Sequence, residues 1–195
     1  MPAAPLFRLL VVAACLLGVA AVAAAQDGRD LAPEARAQYA KELAEAATLV
    51  RDRQFSTALT RLETLIAQRP REAQARFLKG VAETELGRTA AAIATFEALT
   101  ADYPELPEPY NNLAVLYAQK GEFDAARVAL EMALRTAPDW AVAHENLGDI
   151  HVRLAATHYD RAARLDKDNK AAAAKLVLAR ELLAPRPPAG AAPAR

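Results

Sequence analysis

His144, His151 and His158 are the only histidines in this 195-residue chain, and they stand seven residues apart. On a continuous helix that spacing puts all three on one face, as a metal or proton-transfer site would require. Distance argues against such a site. At 1.5 Å of rise per residue, neighbouring imidazoles lie roughly 10 Å apart, whereas two histidines sharing a zinc ion on a helix must lie about one turn apart. No His, Asp or Glu stands four residues from any of them. Packing or flanking side chains are the expectation. The single thiol, Cys15, falls in an N-terminal apolar run. No glycine-rich phosphate loop, serine elbow or paired-carboxylate motif occurs elsewhere. The expectation is a non-enzyme with no catalytic residue, no metal and no cofactor, so function has to come from the surface that the secondary structure builds.

Composition narrows that surface. The chain is 53% hydrophobic and 25% charged, the profile of a folded protein rather than a disordered one. Lys plus Arg equals Asp plus Glu at 24 each, so there is no global basic field of the kind that gathers nucleic acid, and no nucleic-acid partner is expected.

Residues 1–25 read as a signal peptide. Arg8 supplies the positive charge, Leu9 to Ala25 is an uncharged apolar run, and Ala23, Ala24 and Ala25 before Gln26 are the small residues a signal peptidase accepts. Two alternatives stand beside cleavage. One is retention as a membrane anchor, although 17 residues fall short of the about 20 that normally span a bilayer. The other is lipid attachment at Cys15, disfavoured because only a short apolar run precedes it and Leu16 to Ala25 would form an apolar start to the mature chain. Cleavage leaves 23 basic against 24 acidic residues and no thiol, which excludes disulfides, zinc-thiolate sites and cysteine nucleophiles. Ala- and Arg-rich usage fits a bacterial source, and the expected destination is the periplasm, with a mature chain that is not embedded in the membrane.

The elements after residue 38 repeat. Pro70, Pro104 and Pro138 are 34 residues apart, and other residues recur in step, the signature of stacked two-helix units. One such unit cannot bury its own apolar face, so units stack and leave a long groove. Gly87 and Gly121 end the first helix of their units, where a left-handed backbone suits glycine. Ala92 and Ala126 are small where paired helices approach most closely, and Phe96 and Leu130 lie on the apolar face of the second helix. Each proline closes its unit. Residues 107–140 carry Tyr110, Leu113, Ala114, Tyr117, Gly121, Phe123, Ala126, Leu130, Ala133 and Pro138. That set resembles the tetratricopeptide repeat at nearly every signature position. Residues 73–106 match with Gly80, Gly87, Ala92, Phe96 and Pro104, and residues 39–72 with Ala46, Phe55, Ala58, Leu62 and Pro70. The implied fold is all-α: a right-handed superhelical stack of helix-turn-helix hairpins with a C-terminal capping helix.

Departures from the pattern mark the ends. Residues 26–38 lead into the first helix, where Pro33 is tolerated in a first turn. The unit at 39–72 has Arg53 in place of the glycine and Glu42 at the large aromatic position, so it is a degenerate, partly exposed terminal unit. Residues 141–168 begin a fourth unit with Asp139 as N-cap, then break register: Tyr159, Ala162 and Leu165, taken as second-helix positions, arrive five residues early with no glycine before them. One long helix from about Trp140 to Leu165 is expected, with a tight turn near Ala155 to Thr157 as the alternative. Residues 169–184 form a capping helix, capped by Asp or Asn of the 166–169 segment, with Leu176, Ala179, Leu182 and Leu183 as its apolar stripe. The Pro- and Ala-rich tail, 185–195, is expected to be disordered.

The resemblance also implies a binding face. In tetratricopeptide arrays the first helices line the concave side, and the register selects Leu43, Ala47 and Arg51; Phe77, Val81 and Glu85; Asn111, Val115 and Gln119; and Glu145, Asp149 and Arg153. The centre of that set is apolar and its later part acidic. The Lys, Arg and Asn set that clamps a terminal carboxylate is not assembled, because only Asn111, Arg51 and Arg153 are of suitable type. The implied partner is a protein or peptide segment that is apolar with some basic character. Glu97 and Glu131, on second-helix outer faces, read as solvated surface. Two functions follow: an exported adaptor in cell-envelope assembly or maturation that holds a partner in its groove, or a self-associating module in which groove and final helix satisfy each other between copies.

Overall fold

The computed structural model describes residues 32–184; the signal segment and the Pro- and Ala-rich tail lie outside the described residues. Eight helices make up the described chain, and no strand occurs among these residues. They are α1 (Pro33–Arg51), α2 (Phe55–Gln68), α3 (Ala73–Glu85), α4 (Thr89–Asp102), α5 (Pro107–Gln119), α6 (Phe123–Thr136), α7 (Ala141–Leu165) and α8 (Lys170–Leu182). The described residues fall into two compact units that part between Trp140 and Ala141.

In the first unit α1–α2, α3–α4 and α5–α6 pair as hairpins, and α2 packs on α3 and α4 on α5, so each hairpin covers the apolar face of its neighbour. All three hairpin turns close the same way. Gly87 N–H donates to the Thr84 carbonyl at 3.0 Å and Arg88 N–H to Glu83 at 2.8 Å, and Gly121 and Glu122 repeat the pattern onto Ala118 and Tyr117 at 3.0 and 2.9 Å. This pair of bonds satisfies helix-end carbonyls and requires a left-handed residue between them. Gly87 and Gly121 take φ of 71° and 79°, and Arg53 takes 60° at the same position of the first hairpin, the one non-glycine residue of positive φ among those described. Arg53 N–H and Gln54 N–H complete the same turn onto Val50 and Leu49. The turn geometry is therefore imposed by the hairpin even where the residue resists it.

The core follows the repeat. Ala58, Ala92 and Ala126 are fully buried, as are Leu62, Phe96 and Leu130 one turn further along the second helices. Gly80 is needed because Phe96 is large: a Cβ built on Gly80 would meet two Phe96 ring carbons at 2.7 Å. At the same two repeat positions the third hairpin holds Ala114 and Leu130, both buried, so the larger residue of one site is matched by the smaller residue of the other.

In the second unit α7 runs unbroken through Ala155 to Thr157, and α8 folds back along it. Asp160 pairs with Arg164 at 2.5 Å and with Arg180 of α8 at 3.5 Å, and Lys175 lies 5.7 Å from the centre of the Tyr159 ring. The Asn169 side chain caps α8 by accepting from Ala172 N–H at 2.9 Å. Two expectations are corrected here. Leu165 is 76% exposed and Leu182 73% exposed, so neither belongs to a buried face. On α8 the inward stripe is Ala172, Leu176, Ala179 and Leu183. At about 100° per residue Leu182 points roughly 90° away from the middle of that stripe.

Candidate functional site

The concave-position residues of the first unit fall into a floor and a rim. Leu43 and Ala47 on α1, Phe77 and Val81 on α3, and Asn111 and Val115 on α5 are all buried, from 1% exposed for Asn111 to 7% for Leu43. Phe77 rests on Phe96 of its own hairpin with ring centres 5.8 Å apart. The rim residues differ. Arg51 is exposed and donates to Thr48 at 2.8 Å, Gln119 is exposed, and Glu85 is half-buried and paired with Arg53 at 3.7 Å. The structure thus brings nine of the twelve selected residues into one unit at matching positions of three neighbouring first helices. Glu145, Asp149 and Arg153 lie in the second unit, spaced by one turn along α7. Burial raises the Asp149 carboxyl above its ordinary range; Arg153 opposes the shift and Glu145 adds to it.

One further residue of this face lies outside the twelve selected, although it holds the second position of the 107–140 unit. Glu108 sits three residues before Asn111 in the first turn of α5, and its Oε2 is out of solvent with no hydrogen-bond partner among the described residues. Desolvation raises its pKa above the ordinary 4.5, against a smaller pull from a backbone hydrogen bond. A carboxylate in that setting carries an uncompensated desolvation cost, which a donor or cation brought by a partner would offset. Its acidic character is visible in the sequence. Its burial is not.

The opposite side of the first helices separates the hairpins more sharply. In the second hairpin Lys79 on α3 donates to Glu83 at 2.5 Å and to Thr95 of α4 at 3.0 Å, and Thr95 donates to the other Glu83 oxygen at 2.7 Å. Glu83 is 4% exposed, so both of its oxygens are satisfied out of water by this closed network. Arg76 reaches Asp102 at 2.6 Å. The same repeat positions in the third hairpin hold Tyr110, Leu113 and Tyr117. Tyr117 donates to Glu97 of the preceding hairpin at 2.7 Å. Burial, this bond and the charges of Glu97 and Glu122 push the phenol up to about 12. Glu97 is therefore more than solvated surface.

His144, His151 and His158 are all exposed on α7, flanking rather than core residues. No group of three or more His, Cys, Asp or Glu side chains among the described residues is placed to hold a metal ion. No described helix is long and apolar enough to cross a membrane.

Tetratricopeptide repeat profiles match residues 43–107 and, overlapping them, residues 84–147. With three hairpins in phase and their turns closed identically, the chain belongs to the tetratricopeptide repeat family. Two solved structures share the fold. One is MamA 41-end from Desulfovibrio magneticus RS-1, 21% identical with a TM-score of 0.54 over 74% of this chain and 75% of that one. The other is Naa15/Naa10 bound to HypK-THB, 17% identical with a TM-score of 0.52 over 74% of this chain and 23% of that one. At these identities the likeness is one of fold.

Proposed function

We propose that this chain is an exported scaffold that holds a protein or peptide partner along the first-helix face of its repeat array, in the assembly or maturation of the cell envelope. Family membership supports a protein-binding role, since stacked hairpins present equivalent positions of successive first helices as one extended surface. The observation that carries the reading is the register of Leu43, Phe77 and Asn111 with Ala47, Val81 and Val115, edged by Arg51, Glu85 and Gln119. Glu108 supports a partner with a basic or donor group opposite its buried oxygen. Because the floor is closed to solvent, a partner meets the rim first and gains apolar contact only by opening the floor. Export rests on the N-terminal pattern of Arg8, the Leu9 to Ala25 run and the alanines before Gln26.

Photo-crosslinking tests the face. A crosslinking side chain placed at Arg51 or Gln119 is expected to capture a partner that the same group at Arg61, on the exposed side of α2, does not. Equal capture from all three positions would remove the groove reading. All three positions are exposed, so the substitutions leave the core untouched. Mass spectrometry of the mature N-terminus tests export, with Gln26 expected as the first residue.

A second reading, self-association, is favoured by α8. Leu178 and Leu182 are 59% and 73% exposed, one turn apart on a side of the helix that α7 does not cover. Sedimentation at rising concentration is expected to show a dimer lost in Leu178→Glu with Leu182→Glu. A concentration-independent monomer ends this reading.

A further inference from the structure

The array has a second opening, on the side of α5 away from Asn111 and Val115. At about 100° per residue Tyr110, Leu113 and Tyr117 point nearly opposite to those two residues. Together with Glu97 of α4 and Asp124, Val128 and Met132 of α6, they line a cleft of about 490 Å³. That volume lies within the range of small-ligand clefts, about 300–1,000 Å³. Its floor is Leu113 and Ala129, both buried, and its wall is Val128, 50% exposed, the only large hydrophobic residue of the first unit so open among those described.

Charge divides the cleft from its surroundings. No Lys or Arg lines it, whereas two carboxylates stand at its edge. Glu97 is anchored there by the Tyr117 hydroxyl at 2.7 Å, and Asp124 keeps a side chain 83% exposed. Arg127, on the same helix as Asp124, is committed elsewhere: it binds Glu131 at 2.7 Å and reaches Asp124 only at 3.8 Å. The seam of the preceding hairpin is filled differently. Lys79, Glu83 and Thr95 close it with their own hydrogen bonds, and alanines stand where Val128 and Met132 stand here. Apolar lining under an acidic edge, absent from the preceding seam, selects a ligand that is apolar at its tip and cationic beside it.

We propose that the α4–α5–α6 cleft is a second docking surface, which receives a large apolar side chain flanked by Lys or Arg from a partner polypeptide. The apolar residue covers Val128, Met132 and Leu113, and the cation sits between Glu97 and Asp124. This site is separate from the first-helix face, so the array can hold two segments of one partner, or two partners, on opposite sides. Linking two modest contacts in that way raises overall affinity without any new interaction.

A random peptide library selected on the intact, immobilised protein tests this. Peptides that pair Leu, Met or an aromatic residue with Lys or Arg are expected, and their affinity should fall about tenfold in Val128→Asp and about three- to tenfold in Glu97→Lys. Gln119→Arg, on the first-helix face, should leave them unchanged. Both cleft substitutions are at exposed positions, and circular dichroism of each variant establishes that the array is intact. Selected peptides that lack a basic residue, or that bind both cleft variants as well as the parent, overturn the proposal. So does a Val128-dependent dimer in sedimentation, which would assign the cleft to a second copy of the chain. Loss of the peptides in Gln119→Arg but not in Val128→Asp would overturn the cleft and leave the first-helix face standing.

Discussion

The second and third hairpins share a backbone and differ in what fills the seam behind the first helix. In the second, Arg76, Lys79 and Glu83 face that seam and are satisfied by Asp102 and Thr95. In the third, Tyr110, Leu113 and Tyr117 take the same positions and leave an acid-edged cleft. The fold constrains volume and helix ends. It does not constrain whether a seam is sealed by polar bonds or left apolar and open. One repeat can therefore serve as a strut while its neighbour serves as a site.

Breaking the contact between first and second helix should do the most damage in either hairpin. Phe96→Ala should cost about 3–5 kcal/mol and Leu130→Ala about 2–5 kcal/mol in chemical denaturation, since both side chains are fully buried. Gly80→Ala alone should cost about 1–3 kcal/mol through overpacking against Phe96. In a Phe96→Leu background, which copies the third hairpin, the same substitution should be tolerated, giving a coupling of about 0.5–3 kcal/mol in the double-mutant cycle. Additive costs would mean that Gly80 answers to something other than Phe96.

Next in size is the polar seam. Lys79→Met leaves the buried Glu83 carboxylate without its cation and with only the Thr95 hydroxyl, and the expected loss is about 2–4 kcal/mol, below the upper range for buried pairs because Thr95 remains and Lys79 is itself 24% exposed. Replacing both partners with the residues of the third hairpin, Lys79→Leu with Glu83→Tyr, should recover most of that loss. If the double replacement is as unstable as the single one, the two seams are not interchangeable and the comparison fails.

The turns give a smaller effect of opposite sign. Arg53→Gly should stabilise by about 1 kcal/mol, because the left-handed conformation is costly for a residue with a Cβ. Gly87→Ala and Gly121→Ala should each destabilise by a similar amount. An exposed ion pair to Glu85 at 3.7 Å is too weak to reverse the sign at Arg53.

The smallest effect is also the most local. Tyr117 should titrate near pH 12, later than an ordinary tyrosine at 10, when phenolate absorbance is followed. Its folded pKa lies above the unfolded one, so its contribution to stability is complete below pH 10 and is lost as pH rises toward 12. Glu97→Gln should bring the midpoint back toward 10. An unchanged midpoint would break the Tyr117–Glu97 link on which the acidic edge of the cleft depends.

Much of the architecture is legible in the sequence because it depends on short-range rules repeated at fixed intervals. Gly87, Gly121 and the three prolines mark helix ends whatever surrounds them, and the missing glycine before Tyr159 shows in the sequence as plainly as the continuous α7 shows in the structure. The stripe of α8 departs in part from its expected composition. Ala172 contributes to it and Leu182 does not, because the face is set by which side meets α7 and not by which residues are largest. Arg53 can be recognised from the sequence as the wrong residue for its turn, but not as one that takes the left-handed conformation anyway.

Residue types and their 34-residue phase thus determined, without further help, that paired helices stack and where their helices end. Only the folded chain decided how much water each side chain keeps. Burial of Glu83, of one Glu108 oxygen and of the floor residues, and the exposure of Val128, arise from the packing of several helices. A charge's cost and an apolar group's value depend on that solvation, and periodicity along a chain carries no record of it.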